Sequence, residues 1–421
     1  MIGMLLKDGH LLVDDPADAE VILINSCCFI GDAKEESIQT ILELAAYKET
    51  GRCKALVLTG CLAERYRDEI PKELPEVDAL LGTNSYDEIC RVLEETLQGA
   101  HPMICKPLTG FPEVTAQRVN TTGGYYAYLK IAEGCDKCCT YCVIPSVRGA
   151  YRSVPMEKLL EEAKQLVSNG AKELILVAQE TTLYGVDLYG KRTLPNLLDE
   201  LNRIPELEWI RLMYCYPEEI TDDLVSAMKR NDKVCHYLDM PIQHVSDRVL
   251  RSMGRRTTKK DLQERIAMLR REIPDICLRT TLICGFPGET EENHLELLNF
   301  VRDMRFERLG AFCYSEEEGT KAAEMPEQIA DDEKKRRQSE IMALSEELIF
   351  EENEKRVGER LTVLVEGKLP EENVYVARTY RDAPEIDGYL FFPYEGELIS
   401  GELRNVTVTG TNEYDLIGET L

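Results

Sequence analysis

The sequence predicts an α/β protein with three folded parts: an N-terminal doubly wound α/β domain, a central open, partial TIM-type (β/α)6 barrel, and a small OB-like β-barrel. Three observations lead to this prediction. Short apolar runs alternate with helix-like runs in residues 1–100, six strand and helix repeats follow beyond residue 122, and short alternating strands replace them after residue 356. A chain of 421 residues is long enough for about three domains.

The first hundred residues have the periodicity of a parallel sheet covered by helices. Residues 21–25 (VILIN) and 55–59 (ALVLT) are continuous apolar runs that end in small or polar residues, which is typical of buried parallel strands. Residues 32–47 have helical spacing, and residues 77–81 predict another strand, followed by a helix to residue 97. We therefore expect a doubly wound domain here.

Proline and glycine residues predict a linker at residues 101–122, and the barrel domain is placed at residues 123–356. Its six strand candidates lie at residues 126–132, 173–177, 209–214, 237–240, 279–283 and 309–314. Helices are predicted between them, for example at residues 156–169 and 259–273. In such barrels the chemistry takes place at the carboxyl ends of the strands. A charged helix over residues 331–356 completes the domain, and we interpret its basic run at 334–337 as a solvated face.

The sequence changes character in residues 357–421. Short alternating runs (LTVLV, VYVAR, YLFF and NVTVTG) predict the strands of a small β-barrel.

The composition indicates an acidic cytoplasmic protein. Asp and Glu number 77 against 50 Lys and Arg, which gives a net charge of −27 and an isoelectric point near 4.7. Such a charge repels phosphate backbones and attracts basic proteins, so it disfavours a nucleic-acid substrate. No apolar run is long enough to span a bilayer. The 15 cysteines occur without a signal peptide, which favours a reducing compartment.

The strongest chemical signal is the C-x3-C-x2-C spacing of Cys135, Cys139 and Cys142. Thiolates hold iron–sulfur clusters, normally four to a cubane, so three leave one iron open to a substrate. A structural zinc site is the alternative, because Cys138 also creates the run C-x2-C-C-x2-C. Structural zinc usually takes two ligand pairs a dozen or more residues apart, so the spacing favours a cluster.

This spacing, with Tyr141 just before the last cysteine, resembles the radical S-adenosylmethionine (SAM) enzymes. The resemblance implies that Cys135, Cys139 and Cys142 bind a 4Fe–4S cluster whose open iron chelates SAM. One electron then splits SAM into methionine and a 5′-deoxyadenosyl radical. Cys138 departs from the usual pattern, and we interpret it as a bystander.

Two further cysteines follow predicted strands of the first domain. Cys27 (in INSCCFI) and Cys61 (in LTGCLAERY) would share the carboxyl edge of one parallel sheet, where ligands bind in doubly wound folds. A single cysteine is more often a core residue than a ligand. Together, at equivalent strand ends, the two predict part of a second metal site, and Cys28 is the weaker candidate.

The combination of these parts resembles the methylthiotransferases over nearly the whole chain. In that family an N-terminal cluster domain precedes a radical SAM barrel and a TRAM β-barrel. The resemblance implies that Cys27 and Cys61 are the second and third of three ligands of a second 4Fe–4S cluster, which supplies or activates the inserted sulfur. The first ligand has no counterpart here, and residues 1–10 predict a helix where a strand is usual. We expect that an N-terminal truncation explains both features.

Three features favour the branch of the family that modifies an aspartate of ribosomal protein uS12 over the branch that modifies adenosines in tRNA. The TRAM-like segment 358–421 has 13 Asp and Glu against 5 Lys and Arg, a net charge of −8, whereas RNA-binding barrels need the opposite sign. Residues 380–388 (YRDAPEIDG) resemble the TRAM signature of the protein-modifying branch. Residues 236–255 and 178–185 also match it, with Glu180 in place of the usual Asp.

Several residues at predicted strand ends are candidate SAM contacts. The turn GFPGET contains Gly285 and Gly288 and lacks the Gly-Lys-Ser/Thr ending of a phosphate loop, and the family resemblance implies that its backbone approaches SAM. Gln179, Arg211 and Tyr141 are further candidates, although Gln179 and Arg211 fit a structural role at the barrel rim equally well. Residues 314–320 (YSEEEGT) are expected to close the same barrel mouth.

The resulting hypothesis is a cytoplasmic enzyme that converts an aspartate of ribosome-associated uS12 to 3-methylthioaspartate. It implies two uses of SAM, two 4Fe–4S clusters, an electron donor and a sulfur source. Two alternatives stay open: methylthiolation of a tRNA adenosine, and a non-catalytic zinc protein that binds RNA or the ribosome.

Overall fold

The computed structural model describes residues 1–114, 116–370 and 372–420. The N-terminal elements alternate along the chain as predicted. The strands are β1 (Val21–Ser26), β2 (Ala55–Gly60), β3 (Ala79–Leu81) and β4 (Met103–Ile104), which form a parallel sheet in that order. The helices are α1 (Ile2–Lys7), α2 (Gly31–Ala45), α3 (Tyr47–Thr50), α4 (Cys61–Arg65), α5 (Ile70–Glu73) and α6 (Ile89–Leu97).

Both faces of this sheet are covered, which confirms the doubly wound prediction. Side chains alternate along a strand, so Leu56 and Leu58 enter a core on one face while Val57 enters a core on the other. Helix α6 covers the second core through Val92. The short strand β4 lies in the segment that was predicted as a linker. It was not predicted because Met103 and Ile104 form too short an apolar run to be recognised in the sequence.

Six parallel strands form the central sheet, in the order β12-β11-β10-β9-β8-β5. The strands of this region are β5 (Tyr126–Lys130), β6 (Ala132–Glu133), β7 (Arg152–Ser153), β8 (Glu173–Val177), β9 (Trp209–Leu212), β10 (Val234–Asp239), β11 (Cys277–Cys284) and β12 (Arg308–Cys313). The helices are α7 (Ile144–Arg148), α8 (Met156–Ser168), α9 (Val186–Tyr189), α10 (Leu194–Asn202), α11 (Asp222–Arg230), α12 (Asp247–Ser252), α13 (Lys259–Glu272) and α14 (Glu291–Met304). Strands β5 and β12 stand at opposite ends of this order, so the barrel is open, as predicted.

The last part of the chain is helix α15 (Asp331–Glu354) and a closed five-stranded barrel in the order β13-β14-β15-β17-β16. Its strands are β13 (Arg360–Lys368), β14 (Val374–Thr379), β15 (Leu390–Pro393), β16 (Leu403–Asn412) and β17 (Asp415–Thr420). Alternate residues such as Val363, Val365 and Phe392 fill the barrel core. Four of the strands were predicted, and the fifth, β17, was missed.

The interpretation of residues 334–337 as a solvated face is wrong for half of them. Lys334 and Arg337 are buried, whereas Lys335 and Arg336 are exposed. Residues three apart share one helix face, so the two buried cations point to the same side of α15. Arg337 Nη1 lies 3.1 Å from Glu289 Oε1, and Lys334 Nζ lies 5.4 Å from the centre of the Tyr314 ring.

The chain divides into two compact units that do not follow chain order. Unit 1 comprises Met1–Val119, Glu133–Arg152 and Ser315–Glu324, and unit 2 comprises Asn120–Ala132, Ser153–Tyr314 and Met325–Leu421. Both predicted cysteine sets therefore belong to unit 1, whereas the central sheet and the C-terminal barrel share unit 2. Within the described residues, no helix has the length and apolar character needed to cross a membrane.

Within unit 2, the loop after β14 joins the C-terminal barrel to the central sheet. Glu173 of β8 accepts hydrogen bonds from Arg211 of β9 at 2.6 Å and from Arg378 of β14 at 2.7 Å, and all three side chains are completely buried. Tyr237 donates from its hydroxyl to Asp387 at 2.8 Å. Two charge pairs, Arg308 with Asp382 and Arg279 with Asp387, also anchor the segment 380–388 in the structure, in addition to any role as a recognition signature.

Candidate functional site

The loop that holds Cys135, Cys139 and Cys142 has a fixed backbone. The Cys135 N–H donates to Gly149 O at 3.1 Å, and the Cys142 N–H donates to Cys139 O at 3.0 Å. Gly134, with φ +79°, allows the tight approach, because a Cβ atom there would lie 2.2 Å from Ala150 O. These contacts gather the three cysteines into one short loop.

The four thiols of this loop have different environments. Cys135 and Cys139 are buried and Cys142 is half-buried, whereas Cys138 is exposed and has a left-handed backbone with φ +52°. Burial raises the pKa of the Cys142 thiol to about 12, and the nearby sulfurs of Cys139 and Cys135 add to this effect. Such thiols ionise only when a cation compensates the charge, as iron does in a cluster. The exposed position of Cys138 supports its interpretation as a bystander.

The donor set fits a cluster better than a single ion. Among the described residues, no three His, Cys, Asp or Glu side chains surround one metal position. Four sulfurs about 2.3 Å from one zinc ion must crowd together, whereas a cubane takes one cysteine at each iron and spreads the ligands. Three thiols in one short loop match the number of protein ligands that a cluster with one open iron takes.

Cys27 and Cys61 lie side by side at the edge of the N-terminal sheet. Ser26 of β1 pairs with Gly60 of β2, so the cysteines that follow these residues are in register. Gly60 has φ +99°, and a Cβ atom there would lie 2.4 Å from Ser26 O, so glycine is required at this turn. Burial raises the pKa of Cys61, and the charge of Cys27 is among the lesser contributions in the same direction. The two cysteines therefore directly follow paired strand ends, as the strand-end argument predicted.

Arg148 connects the two cysteine sets and was missed by sequence reasoning. Its Nη2 donates to Cys61 Sγ at 3.2 Å, and its Nη1 lies 3.4 Å from Glu133 Oε2. Arg148 ends helix α7, which begins two residues after Cys142, and Val147 of that helix packs into the core that contains Cys61. Residues 61 and 148 are distant in sequence, so no spacing rule predicts the contact.

The segment after β12 also packs in unit 1. The Gly31 N–H donates to Ser315 Oγ at 3.0 Å, and Arg65 Nη1 pairs with Glu317 at 2.8 Å. The Ala322 N–H donates to Thr140 O, inside the cysteine loop, at 2.9 Å. Residues 315–322 thus contact the backbone near both cysteine sets, through Ser315 and Glu317 on one side and Ala322 on the other. Closure of a barrel mouth by YSEEEGT stays a prediction.

The candidate SAM contacts fall in both units. Tyr141 is half-buried in the cysteine loop, and Gln179 is half-buried two residues after the end of β8. Gly285 and Gly288 have φ values of +74° and +76° in the turn after β11. These four remain candidates for SAM binding.

The surroundings of Arg211 favour the structural alternative for this residue. Its guanidinium is completely buried, pairs with Glu173, donates to Tyr380 O at 2.7 Å and lies 4.6 Å from the centre of the Tyr237 ring. Burial alone would lower the pKa of Arg211, but the Glu173 carboxylate more than offsets this effect and raises it.

Glu289 is a second residue that sequence reasoning missed. Its carboxylate accepts the N–H groups of Gly285 at 2.7 Å and Phe286 at 3.1 Å, so it fixes the backbone of the GFPGET turn. Burial raises the pKa of Glu289, although Arg337 opposes the rise. The sequence contained one indication of this role, because Glu289 is an acidic residue directly after Gly288.

Three family models match the chain. They are the Radical SAM superfamily at residues 129–301, the Uncharacterized protein family UPF0004 at residues 1–82 and the TRAM domain at residues 357–421. A protein from Lachnoclostridium phytofermentans is 58% identical over 99% of this chain and 95% of its own length. Relatives from Pelotomaculum thermopropionicum and Geobacter sulfurreducens are 49% and 47% identical, over 100% of this chain and 95% and 94% of their own lengths. All three are named ribosomal protein uS12 methylthiotransferase RimO.

The chain belongs to the RimO methylthiotransferase family. The enzymes of this family are radical SAM proteins, which use SAM and 4Fe–4S clusters. Among solved structures, the methyltransferase TsrM from Kitasatospora setae, with cobalamin and a [4Fe–4S] cluster bound, matches this RimO-family chain with a TM-score of 0.51 and 15% identity. The match covers 70% of this chain and 64% of TsrM, and it supports the radical SAM fold alone.

Proposed function

We propose that this chain transfers a methylthio group to the β-carbon of an aspartate in ribosomal protein uS12. The observation that carries the proposal is the identity of 58% to a uS12 methylthiotransferase across 99% of this chain. The same similarity does not favour a zinc-binding protein without activity. Two uses of SAM, as methyl donor and as radical source, follow from the family chemistry.

The cysteines of unit 1 supply the ligands in this proposal. Cys135, Cys139 and Cys142 would hold the cluster that binds SAM, and Cys27 and Cys61 would hold the cluster that delivers sulfur. When bound, the SAM-loaded cluster supplies the radical that removes a hydrogen atom from an unactivated carbon. The chain positions these ligands through Gly134, through Gly60 and through the Arg148 contact to Cys61.

The surface charge of the C-terminal barrel supports a basic protein as the partner. Two of its five cations, Arg378 and Arg381, are buried. The exposed charged residues in the described part of the barrel are Arg360 and Lys368 among the cations and Glu359, Glu372, Glu385, Glu395, Glu397, Glu413 and Glu419 among the carboxylates. A surface with this imbalance attracts a cationic protein and repels the phosphates of tRNA.

Further partners follow from the chemistry rather than from the fold. Cleavage of SAM needs a one-electron donor, and repeated turnover needs a sulfur source. The proposal places the reaction in the cytoplasm, on uS12 that is associated with the ribosome.

A competition experiment tests the proposed function. The anaerobically reconstituted chain is incubated with SAM, a reductant, a sulfide source, and both uS12 and unmodified tRNA in one vessel. Mass spectrometry is expected to find the methylthio group on a uS12 aspartate and none on tRNA. A methylthio group on an adenosine, with unmodified uS12, would overturn the proposal in favour of the tRNA alternative.

A comparison of two double variants tests whether the acidic surface of the C-terminal barrel binds uS12. The double substitution Glu395→Gln/Glu397→Gln should weaken uS12 binding and flatten its dependence on salt, because it removes charges whose attraction to a basic partner is screened by salt. The control is Glu264→Gln/Asp332→Asn, which removes two exposed carboxylates from helices α13 and α15. An equal effect of both double variants would mean that only total charge matters.

A further inference from the structure

Tyr214 has an unusual backbone conformation at the carboxyl end of strand β9. Its φ is +58°, in the left-handed region that a bulky side chain rarely adopts. Such a conformation costs on the order of 1–3 kcal/mol and persists where the surroundings enforce it, often at functional sites. The residue lies two positions beyond the last residue of β9, at the strand ends where barrels of this type place their chemistry.

Neighbouring strand ends hold this conformation from both sides. The Tyr214 N–H donates to Asp239 Oδ2, at the end of β10, at 2.9 Å. The Tyr214 carbonyl accepts the Thr181 N–H, from the loop after β8, at 3.1 Å. Asp239 and Thr181 are both buried, so the backbone of Tyr214 is held by buried groups on two neighbouring elements.

The ring of Tyr214 remains accessible. The residue as a whole is 46% exposed. Burial raises the pKa of the Tyr214 phenol, and the Asp239 carboxylate raises it further. Burial also raises the pKa of Tyr128 on β5, and Tyr214 adds to that rise.

A series of buried ion pairs and hydrogen bonds, Asp239–Arg279–Asp387, connects Tyr214 with the C-terminal barrel, and we call this series the relay. Asp239 Oδ1 lies 3.0 Å from Arg279 Nη1, and Arg279 Nε lies 3.4 Å from Asp387 Oδ1. The other oxygen of Asp387 accepts the Tyr237 hydroxyl at 2.8 Å and the Ala383 N–H at 2.9 Å. Arg279 thus connects Asp387, in the segment 380–388, with Asp239, which accepts the Tyr214 N–H.

We propose that Tyr214 is a substrate-positioning residue whose ring receives a cationic or peptide group of uS12, and that Asp387 positions this ring through Arg279 and Asp239. The inference rests on the proposed function, because it takes its substrate from there. An exposed aromatic face binds Arg or Lys side chains, which abound in a basic protein. The TRAM barrel then contributes to substrate binding in two ways, through its acidic surface and through the relay.

Binding of labelled uS12 to the full chain tests the role of the ring. Tyr214→Ala and Tyr214→Gly should both weaken the Kd for uS12 by about tenfold, whereas Tyr214→Phe should stay within about threefold. Glycine relieves the left-handed strain, so it separates loss of the ring from backbone damage. The matched control is Phe350→Ala on α15, where an aromatic side chain is also 46% exposed, and it should leave the Kd unchanged.

Two results would overturn the role of Tyr214. Wild-type affinity in Tyr214→Gly would show that the residue serves only the backbone. A matching loss of affinity for SAM alone would show that the ring serves the cofactor. Failure of the wild-type chain to bind uS12 would instead refute the proposed function, so the two failures are distinguishable.

A double-mutant cycle tests the relay. Asp387→Asn should weaken uS12 binding in the wild-type background and have little further effect in Tyr214→Ala, because both changes then remove the same interaction. Full additivity of the two effects would show that Asp387 acts independently of Tyr214, and the relay would be rejected.

Discussion

Arg308 of strand β12 pairs with Asp382 of the C-terminal barrel, with Nε 3.1 Å from Oδ1. Both side chains are buried, at 7% and 2% exposure, and Asp382 also accepts the Thr379 hydroxyl at 2.6 Å. A buried pair in which every oxygen has a partner fixes the orientation of the segment that contains it. The C-terminal barrel and the central sheet are therefore one folded body in unit 2.

Loss of this pair should destabilise unit 2. Asp382→Asn leaves the Arg308 charge buried without its partner, which typically costs about 3–5 kcal/mol in the free energy of unfolding. Urea unfolding checks this value. The control is Glu264→Gln, whose partner Lys260 is 81% exposed, and it should have no measurable effect. Equal stability of the two variants would contradict a structural role for the Arg308–Asp382 pair.

Buried carboxylates should also make stability depend on pH. Burial would raise the pKa values of Glu173 and Asp382, but arginines more than offset this effect and lower them. Their stabilisation is thus fully present above the unfolded pKa of about 4, and it is lost as the pH falls toward the lower folded values. The free energy of unfolding should decrease below about pH 5 and decrease less steeply in Glu173→Gln. An unchanged slope in that variant would show that other groups cause acid unfolding.

The cysteine loop contains its own control residue. Replacement of Cys135, Cys139 or Cys142 by Ala should abolish formation of 5′-deoxyadenosine and remove the iron of that cluster. Cys138→Ala, in the same loop but with an exposed thiol, should retain both. Deoxyadenosine is measured by chromatography after anaerobic reduction. Persistent deoxyadenosine in any of the first three variants, or its loss in Cys138→Ala, would refute the ligand assignment.

A change in the backbone of the cysteine loop should reduce iron binding, as replacement of its cysteines does. A Cβ atom at Gly134 would lie 2.2 Å from Ala150 O, so Gly134→Ala must displace the loop at a cost of about 1–3 kcal/mol. Gly99→Ala is the control, because Gly99 has a similar φ of +89° with no atom within 4 Å. Iron bound per chain after reconstitution should fall only in Gly134→Ala. Equal losses would indicate that left-handed strain, rather than the clash, disturbs the site.

The sequence was sufficient for those features that depend on local pattern. The predicted strand 173–177 matched β8 residue for residue, because the four consecutive apolar residues 174–177 follow Glu173 as in a buried parallel strand. The alignment of Cys27 with Cys61 followed from equivalent strand ends, which the register of Ser26 with Gly60 confirms. Strand β4 was missed because two residues carry too little periodicity.

Contacts between distant segments could not be predicted in this way. The Arg148 contact to Cys61 joins two regions that the sequence assigned to different domains. The burial of Lys334 and Arg337 depends on Tyr314 and Glu289, which no property of the basic run itself reveals. The relay from Asp387 to Tyr214 likewise joins residues of two strands, β10 and β11, and of two loops.

The most direct measurement of the central claim is mass spectrometry of uS12 from cells that lack the gene and from the same cells with the gene restored. The proposal predicts that the methylthio group on the uS12 aspartate disappears on deletion and returns with the wild-type gene, but not with Cys139→Ala, while tRNA modification is unchanged. An unaltered uS12 after deletion, together with a methylthio group lost from tRNA, would contradict it.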